Sequence, residues 1–570
     1  MNNLEIAQIF YEIADLLEIE GVRFIPRAYR RAAQAIETLP KPLREIHERR
    51  ELENIPGIGS RIAAKVIELL ETGRLEYLEE LRKKLPQGLT ELMKVEGIGP
   101  KTVLTLHRKL KISGIDQLEV AAKQGKLRGL KGFGEKTEEN ILQGIAMYRS
   151  GQERSLLGYA LPLAVEVKES LEKCDAVIRI SLAGSIRRRK ETIGDVDILV
   201  TSDEPLKVMN YFANLPQVNR VIAKGRTKSS VLLTNNLQVD VRVVDEGSFG
   251  SALQYFTGSK EHNIKLRRWA LKRDWKLSEY SLQDTKTNRI IAGEDEASIY
   301  ESFDLEYIEP ELREDWGEVE AAFERKLPRL VRYCEVRGDL HVHTEWSDGA
   351  HSIREMAEEA KRLGLEYIAV CDHSKTLRIA GGLTEEDLIR QMEEIRKISD
   401  ELDGFKVLSG VEANIKADGS LDVENRVLRD IDIVVASVHS GFKQPRKEMT
   451  ERLLTAIHND HVNVIGHPTG RIINKRKPYQ VDLPKVFEAA KAQGVFMEIN
   501  ALPNRLDLSA VNCLKARDYG VKTTIGSDAH NKDQLTYIEL GVATARRGWL
   551  RSEDVANTLT AEELVKALRK

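Results

Sequence analysis

The chain has 570 residues, of which 41% are hydrophobic and 31% charged, and its net charge is −3. That composition excludes a disordered polymer and a uniformly basic nucleic-acid binder, and the length allows about three to five domains. Charge is unevenly spread: residues 179–289 carry 20 Lys/Arg against 12 Asp/Glu, while residues 290–316 carry one Arg against ten acids.

A basic region bordered by an acidic one suggests a surface for a polyanion. The cysteines, Cys174, Cys334, Cys371 and Cys513, form no C-x-x-C pair. Scattered thiols fit a reducing compartment, so a cytoplasmic protein is expected. The opening segment MNNLEIAQIFYEIADLLEIEG reads as an amphipathic helix interrupted by acids, not as a signal peptide. No apolar run approaches the ~18 residues of a membrane span, and none is expected.

The first 150 residues have helical periodicity, as in Leu4, Ala7, Ile9, Ile13, Leu16 and Leu17. A short element recurs there: IPGIGSRIAAKV from Ile55, VEGIGPKTVLTL from Val95 and LKGFGEKTEENI from Leu130. Each is an apolar residue, a Gly-x-Gly turn and a helix start. Gly57 and Gly59, Gly97 and Gly99, and Gly132 and Gly134 therefore open helices whose first N–H groups suit a phosphate. The repeat resembles the helix-hairpin-helix motif, which implies a grip on DNA backbone without sequence reading. In the first copy Lys65 follows Gly57 by eight residues, downstream of Arg27, Tyr29, Arg30 and Arg31. A lysine among cations loses its proton more easily and can attack an aldehyde as an amine. The plainer alternative is a lysine that pairs with phosphate.

From about residue 177 short β-branched runs take over: VIRISLAG, VDILVT, SVLLT and LQVDVRVV. Asp195 and Asp197 are two apart on one run and project from one face, which Asp240 can reach from another strand. Three convergent carboxylates suit two Mg²⁺ ions about 3.5–4 Å apart, one at an attacking 3′-oxygen and one at a triphosphate. Just upstream, Gly184 admits a phosphate to the backbone, and Ser185 and Arg188 can donate to it. This set resembles the nucleotidyltransferase superfamily. The segment QYFTGSKEHNIKLRRWALKRDWKLSEYSL, from Gln254, is similar to the family X DNA polymerases, which include DNA polymerase beta. That resemblance implies that Asp195, Asp197 and Asp240 bind the catalytic metals, with Arg242 beside them. It implies triphosphate contacts from Ser185 and Arg188, a sugar-facing segment of Tyr255, Phe256 and Gly258, and a minor-groove contact from Asn263. It also puts Lys65 where the family's Schiff-base lysine falls, which implies a lyase step. Ile25 and Tyr77 stand where polymerase beta has lysines that bind a 5′-phosphate, which argues for a DNA grip with weak or absent lyase activity.

Beyond a charged connector ending near Arg337, strands alternate with helices: EYIAVCDHS, KVLSGVEANI, IVVASVHS, VNVIGHP, VFMEINA and KTTIGSDAH. The alternation predicts an α/β domain with parallel strands and a site at their C-terminal ends. Nine of the twelve histidines lie after residue 335. His341 and His343, His373, His439, His467 and His530 sit in short polar motifs with Asp348, Glu412 and Asp528 nearby, a metal-ligand pattern. His351, His458 and His461 fall outside these motifs. Lys375, Arg378 and Arg471, near the motif loops, are candidate phosphate contacts.

These motifs resemble the PHP (polymerase and histidinol phosphatase) domain, a distorted (β/α)₇ barrel with three metals. The resemblance implies one metal on His341, His343, Glu412 and Asp528, a second on Glu412, His439 and His467, and a third on Asp348, His373 and His530. Such a cluster activates water and polarises a phosphate, and its donors suit Mn²⁺ or Zn²⁺.

Taken together, the chain resembles a bacterial or archaeal family X polymerase with a C-terminal PHP domain. The implied fold is a multidomain α+β polymerase followed by a (β/α)₇ barrel. The expected domains are a helical DNA-binding domain at 1–85, helix-hairpin-helix fingers at 86–150 and a nucleotidyltransferase palm at 151–246. A thumb at 247–316, a linker at 317–335 and the PHP domain at 336–570 complete them. The implied function is gap-filling synthesis in DNA repair, with a metal-dependent 3′–5′ exonuclease or phosphoesterase that also cuts at abasic sites in one version. The rivals are a polymerase whose PHP half is only structural, a non-polymerase nucleotidyltransferase fused to a phosphatase, and a non-enzymatic DNA-end binder. The expected cofactors are Mg²⁺ or Mn²⁺ in the palm and up to three Mn²⁺ or Zn²⁺ in the barrel. The expected partners are gapped or nicked DNA and dNTPs, for a monomer with no identifiable protein partner and no membrane.

Overall fold

A computed structural model gives the fold and describes residues 3–22, 24–37, 43–55, 57–84, 87–93, 95, 98–130, 133–149, 154–377 and 380–569. The chain forms two compact units, residues 1–153 and 154–570. No helix among the described residues is long and apolar enough to cross a membrane.

The first unit is helical. Helices Asn3–Glu20, Ile25–Glu37 and Ser60–Thr72 enclose Phe10, Ile13, Leu17, Ala33, Val66 and Leu69. Helices Pro100–Leu110, Ile115–Lys123 and Glu135–Arg149 build a second cluster with Val103, Leu106, Leu118 and Ile141. Apolar residues three and four apart give each helix one buried stripe. The three repeated elements close the same turn: Ile58, Ile98 and Phe133 donate their N–H groups to the carbonyls of Ile55, Val95 and Leu130, each at 3.0 Å. Gly59 and Gly99 cap their helices with extended backbone and no side chain in the way. Gly134 accepts the first helical bond of the third copy, from Glu138 at 3.1 Å. Gly57 needs its lack of a side chain, because its φ is +94° and a Cβ would press on Arg31 at 3.2 Å. Gly97 and Gly132 lie outside the described residues.

The second unit opens with a five-stranded sheet of order β1-β2-β5-β4-β3. Its strands are β1 (Arg179–Leu182), β2 (Asp195–Thr201), β3 (Val218–Lys224), β4 (Lys228–Leu233) and β5 (Gln238–Val244). β2 and β5 run parallel, with Asp197 opposite Asp240, while the other pairs are antiparallel. Alternation explains the faces: Val196, Ile198, Val200, Val239, Val241 and Val243 enter the core beneath helices Leu157–Glu172 and Pro205–Ala213. The intervening residues face the other way.

Helices Phe249–Thr257 and Lys260–Leu271 lead to a small antiparallel sheet of β6 (Trp275–Leu277), β7 (Leu282–Asp284) and β8 (Ile290–Ala292). The remainder is a barrel of seven parallel strands in sequence order. They are β9 (Gly338–Val342), β10 (Tyr367–Val370), β11 (Lys406–Asn414), β12 (Ile433–Ser437), β13 (Val464–Ile465), β14 (Phe496–Asn500) and β15 (Thr523–Gly526). A parallel bridge between Val342 and Ala529 joins its ends. Leu506 and Leu540 of the barrel half belong to the same apolar cluster as the palm's Ala160 and Ile193. The apolar core of the sheet therefore extends to two residues of the barrel half.

Arg313 fixes the junction after β8. It is fully buried, donates to the Ile308 carbonyl at 2.9 and 2.7 Å and pairs with Glu296. Glu296 also accepts from Arg187 at 2.8 Å and from the Tyr307 hydroxyl at 2.7 Å. Removing one partner of such a pair leaves a buried charge short of compensation, so Arg313→Met should lower the stability of the second unit by about 3 kcal/mol. Urea unfolding followed by tryptophan fluorescence measures this, and an unchanged midpoint would show that the pair is dispensable.

Candidate active sites

In the palm, Asp195 and Asp197 project from β2 and Asp240 from β5, all on the face opposite the helices. Leu199, next on that face, packs on Ala183, Phe249 and Ala252 and anchors the helix that carries Tyr255 and Phe256. Asp197 is half-buried beside two other carboxylates. Burial first, and the charges of Asp195 and Asp240 after it, push its carboxyl up to about 7. Asp195 is raised for the same reasons. Asp240 is lowered, because Lys228 at 2.8 Å and Gln238 at 2.9 Å outweigh its burial. Mutual repulsion of this kind is what bound cations relieve, so the residues fit divalent metal.

Gly184 has a φ of +63°, and a Cβ there would lie 2.5 Å from Asp197 Oδ2. Its bareness therefore makes room for Asp197 as well as for a ligand. Arg188 donates through Nε to Glu314 at 3.0 Å and through Nη1 to the Thr257 carbonyl. The guanidinium of Arg242 lies 4.6 Å from the centre of the Phe256 ring, and the Tyr255 and Phe256 rings meet edge to face at 5.1 Å. Asn263 is buried, donates to the Tyr255 carbonyl at 2.7 Å and accepts from Gln254 at 2.8 Å. Gly258 has a φ of +69°, and a Cβ would stand 3.1 Å from Arg188. Ser185 is half-buried on the short helix Gly184–Arg187.

In the barrel every strand delivers a polar group at its C-terminal end. His341 lies on β9 and His343 just past it. His373 follows β10, Glu412 lies on β11, His439 follows β12, His467 follows β13, Glu498 lies on β14, and Asp528 and His530 follow β15. Glu412 is the hub. Its Oε1 is 2.9 Å from His467 and 3.2 Å from His439, and its Oε2 is 2.7 Å from His373, 3.6 Å from His341 and 3.8 Å from His343. His343 Nε2 lies 3.1 Å from Asp528, and Asp348 lies 3.4 Å from His530 and 3.6 Å from His373.

Among the described residues, three groups have ligand atoms within 4.8 Å of one another: His341/His343/Asp528, His343/Asp348/His373/His530 and His373/Glu412/His439. All nine barrel residues singled out in the sequence meet here. His373 stands between the second and third sets, whereas His467 reaches the cluster through Glu412. Buried His341 Nε2 and both nitrogens of buried His343 have no hydrogen-bond partner. Such orphaned lone pairs fit metal ions. Burial, with His530 and His373 beside it, drives the His343 imidazole down to about 3, so it is a neutral donor.

Other residues carry no obvious motif. Glu498 lies 2.6 Å from His341 Nδ1 and accepts the His467 N–H at 2.5 Å. Asn500 donates to Asp528 at 2.9 Å, and Arg505 stands 3.6 Å from the same carboxylate. Asp372 accepts from Thr344 at 2.6 Å and Gln391 at 2.5 Å and so pins the loop after His343. The acid of VFMEINA at a strand end was the available signal for Glu498. Lys375 is tied to Glu385 at 2.5 Å and Arg471 to Glu191 at 2.8 Å, so neither reaches towards the cluster, and Arg378 lies outside the described residues. In the first unit the Lys65 ammonium sits 4.7 Å above the Tyr77 ring.

Two outcomes follow from these environments. Asp197 must lose its proton to hold a cation, so Mn²⁺ affinity of the palm should fall about tenfold per pH unit below about 7. The difference in Mn²⁺ titration between the wild type and Asp195→Ala/Asp197→Ala reads this, and a pH-independent difference would contradict it. In the barrel, Glu498→Gln should cost roughly 10–100-fold in metal affinity, read as metal retained against a chelator.

The comparisons with known proteins divide along the same lines. A helix-hairpin-helix domain matches residues 1–75 and a SAM-like helix-hairpin-helix tandem residues 89–146. The DNA polymerase beta palm matches 161–268, the DNA polymerase beta thumb 252–314 and the PHP domain 339–502. The chain is 39% identical over 573 residues to the DNA polymerase/3′-5′ exonuclease PolX of Bacillus subtilis (strain 168), covering all of both chains. It is 26% identical over 344 residues to DNA polymerase lambda of Rattus norvegicus, covering 55% of this chain and 56% of that one. A probable phosphatase of Thermoanaerobacter sp. (strain X514) is 33% identical over 231 residues, 39% of this chain and 89% of that protein. Similarity that runs the whole length of both proteins, through both halves, means that this chain belongs to the family X DNA polymerases with a C-terminal PHP domain.

Proposed function

We propose that the chain extends primer 3′ ends on a DNA template, filling short gaps during repair, and that its barrel removes nucleotides from DNA 3′ ends. The observation that carries this reading is the full-length similarity to a Bacillus subtilis protein named for both activities. In the palm, two divalent ions, Mg²⁺ or Mn²⁺, on Asp195, Asp197 and Asp240 would supply positive charge to the primer 3′-oxygen and the triphosphate. Ser185 and Arg188 bind that triphosphate, and bare Gly184 keeps its path clear beside Asp197. Arg242, held over the Phe256 ring, balances the carboxylates. Tyr255, Phe256 and Gly258 form the wall under the sugar, with Asn263 behind it.

In the barrel, His341, His343, Asp348, His373, Glu412, His439, His467, Asp528 and His530 would hold up to three ions. Imidazole and carboxylate donors favour Mn²⁺ or Zn²⁺, which supply Lewis acidity for phosphodiester cleavage. Glu498 and Asn500 orient the ligands. The turns at Gly57/Gly59, Gly97/Gly99 and Gly132/Gly134 grip DNA backbone on either side of the gap. Lys65, over the face of Tyr77, would clamp a DNA phosphate, the plainer of its two readings.

The test is a primer assay on 5′-phosphorylated gapped DNA with Mn²⁺, with and without dNTPs. Asp195→Ala/Asp197→Ala should abolish extension, by at least about 1000-fold, and leave primer shortening intact. His341→Ala/His343→Ala should do the reverse. Absence of primer shortening in the wild type would reject the nuclease reading, and extension only of single strands would reject the gap-filling one.

A further inference from the structure

The barrel half reaches into the nucleotide site of the palm. Helix Ile538–Arg547 ends in Arg547, which is buried. Its Nη1 donates to the backbone carbonyl of Arg188 at 2.5 Å, and Nη1 and Nη2 both donate to Glu314 Oε1 at 3.1 Å. The same Oε1 accepts from Arg188 Nε at 3.0 Å, and Lys190 lies 3.3 Å from Oε2. Glu314 is therefore one buried carboxylate shared by three cations, drawn from the palm and from the barrel. Burial opposes its charge, but Arg547 and Arg188 outweigh it and hold the carboxyl below its ordinary range. Arg188 is thus tethered at Nε and, through Thr257, at Nη1, while its Nη2 makes no hydrogen bond among the described residues.

We propose that Arg547 is a positioning residue of the polymerase site, acting through Glu314 on Arg188. The inference rests on the reading of Arg188 as a triphosphate contact. Two guanidiniums on one carboxylate leave surplus positive charge, and that surplus faces an incoming polyanion. Without Arg547, Glu314 is matched by Arg188 and Lys190 alone. The acid then competes with the triphosphate for Arg188, and the Arg188 backbone loses the donor that fixes it. The barrel acts here as part of the nucleotide-binding wall, independently of its own metal cluster.

Single-nucleotide incorporation by the full chain on gapped duplex tests this. Arg547→Met should raise the KM for dNTP about tenfold and change kcat by less than about twofold, because Arg188's charge-assisted contact to the bound triphosphate is weakened. Metal-dependent shortening of a single-stranded primer without dNTP should stay at the wild-type rate. Arg547→Lys, which keeps a cation, should fall between the two. In Arg547→Met/Glu314→Gln the competing acid is gone, so KM should return towards the wild-type value. An unchanged KM in Arg547→Met beside a raised one in Arg188→Ala would overturn the relay. So would a double variant worse than the single one, or nuclease and incorporation falling together with thermal stability. An unchanged KM in Arg188→Ala would reject the underlying reading of Arg188, and the relay with it.

Discussion

Glu412 is a fully buried carboxylate within 4 Å of five imidazole rings. A charge so far from water is tolerated only if its surroundings answer it, and that demand shapes the whole barrel. The answering rings come from strands β9, β10, β12 and β13, so all of these must present their C-terminal ends to one point. Parallel strands satisfy this without exception, and a mixed sheet would send some ligands to the opposite end. His467 and Asp528 take up positive φ values of 28° and 54° to meet the cluster, a strain of about 1–3 kcal/mol each that the packed strand ends sustain.

The palm solves a different electrostatic problem. Its carboxylates crowd one another: Asp240 pairs with Lys228 at 2.8 Å, while Arg154 and Arg242 act on Asp195 and Asp197 by charge alone. The β2–β5 register puts Asp197 directly beside Asp240. One half of the chain thus gathers imidazoles around a central acid, ready for tightly kept ions. The other holds acids under mutual repulsion, suited to ions that arrive with a triphosphate. Both lie in a single packed unit, in which Leu506 and Leu540 of the barrel half pack into the core of the palm.

Much of this was legible in the residues themselves. Alternation in VDILV and VDVRVV places the aspartates on one face, and the strand-end histidines name their own barrel. The repeated Gly-x-Gly turns show their equivalence in the spacing, and the structure gives them identical closing hydrogen bonds. The supporting shell was not legible, for physical reasons. Glu498, Asp372 and Glu314 are single acids whose roles come from long-range packing: Glu498 meets a histidine 157 positions away, and Glu314 an arginine 126 away. Local pattern has no access to such separations. Arg471 shows the converse. Its position in a motif loop suggested a substrate contact, but tertiary structure spends it on Glu191.

The closure of the barrel carries a consequence for how the molecule comes into being. The bonds that join its two ends run from the His343 N–H to the Ala529 carbonyl at 2.8 Å and from the Asp528 N–H to the His341 carbonyl at 2.9 Å. The seam is thus drawn between ligand residues themselves. A chain emerging from the ribosome folds its leading parts first. The palm carboxylates are synthesised while the last barrel strand is still unmade. A translation product cut short before β15 keeps Asp195, Asp197 and Asp240 but lacks Asp528 and His530. The barrel's metal cluster therefore closes only in molecules whose palm carboxylates have already been synthesised, and the Arg547 contact to the nucleotide site is made after it, by the helix that follows β15.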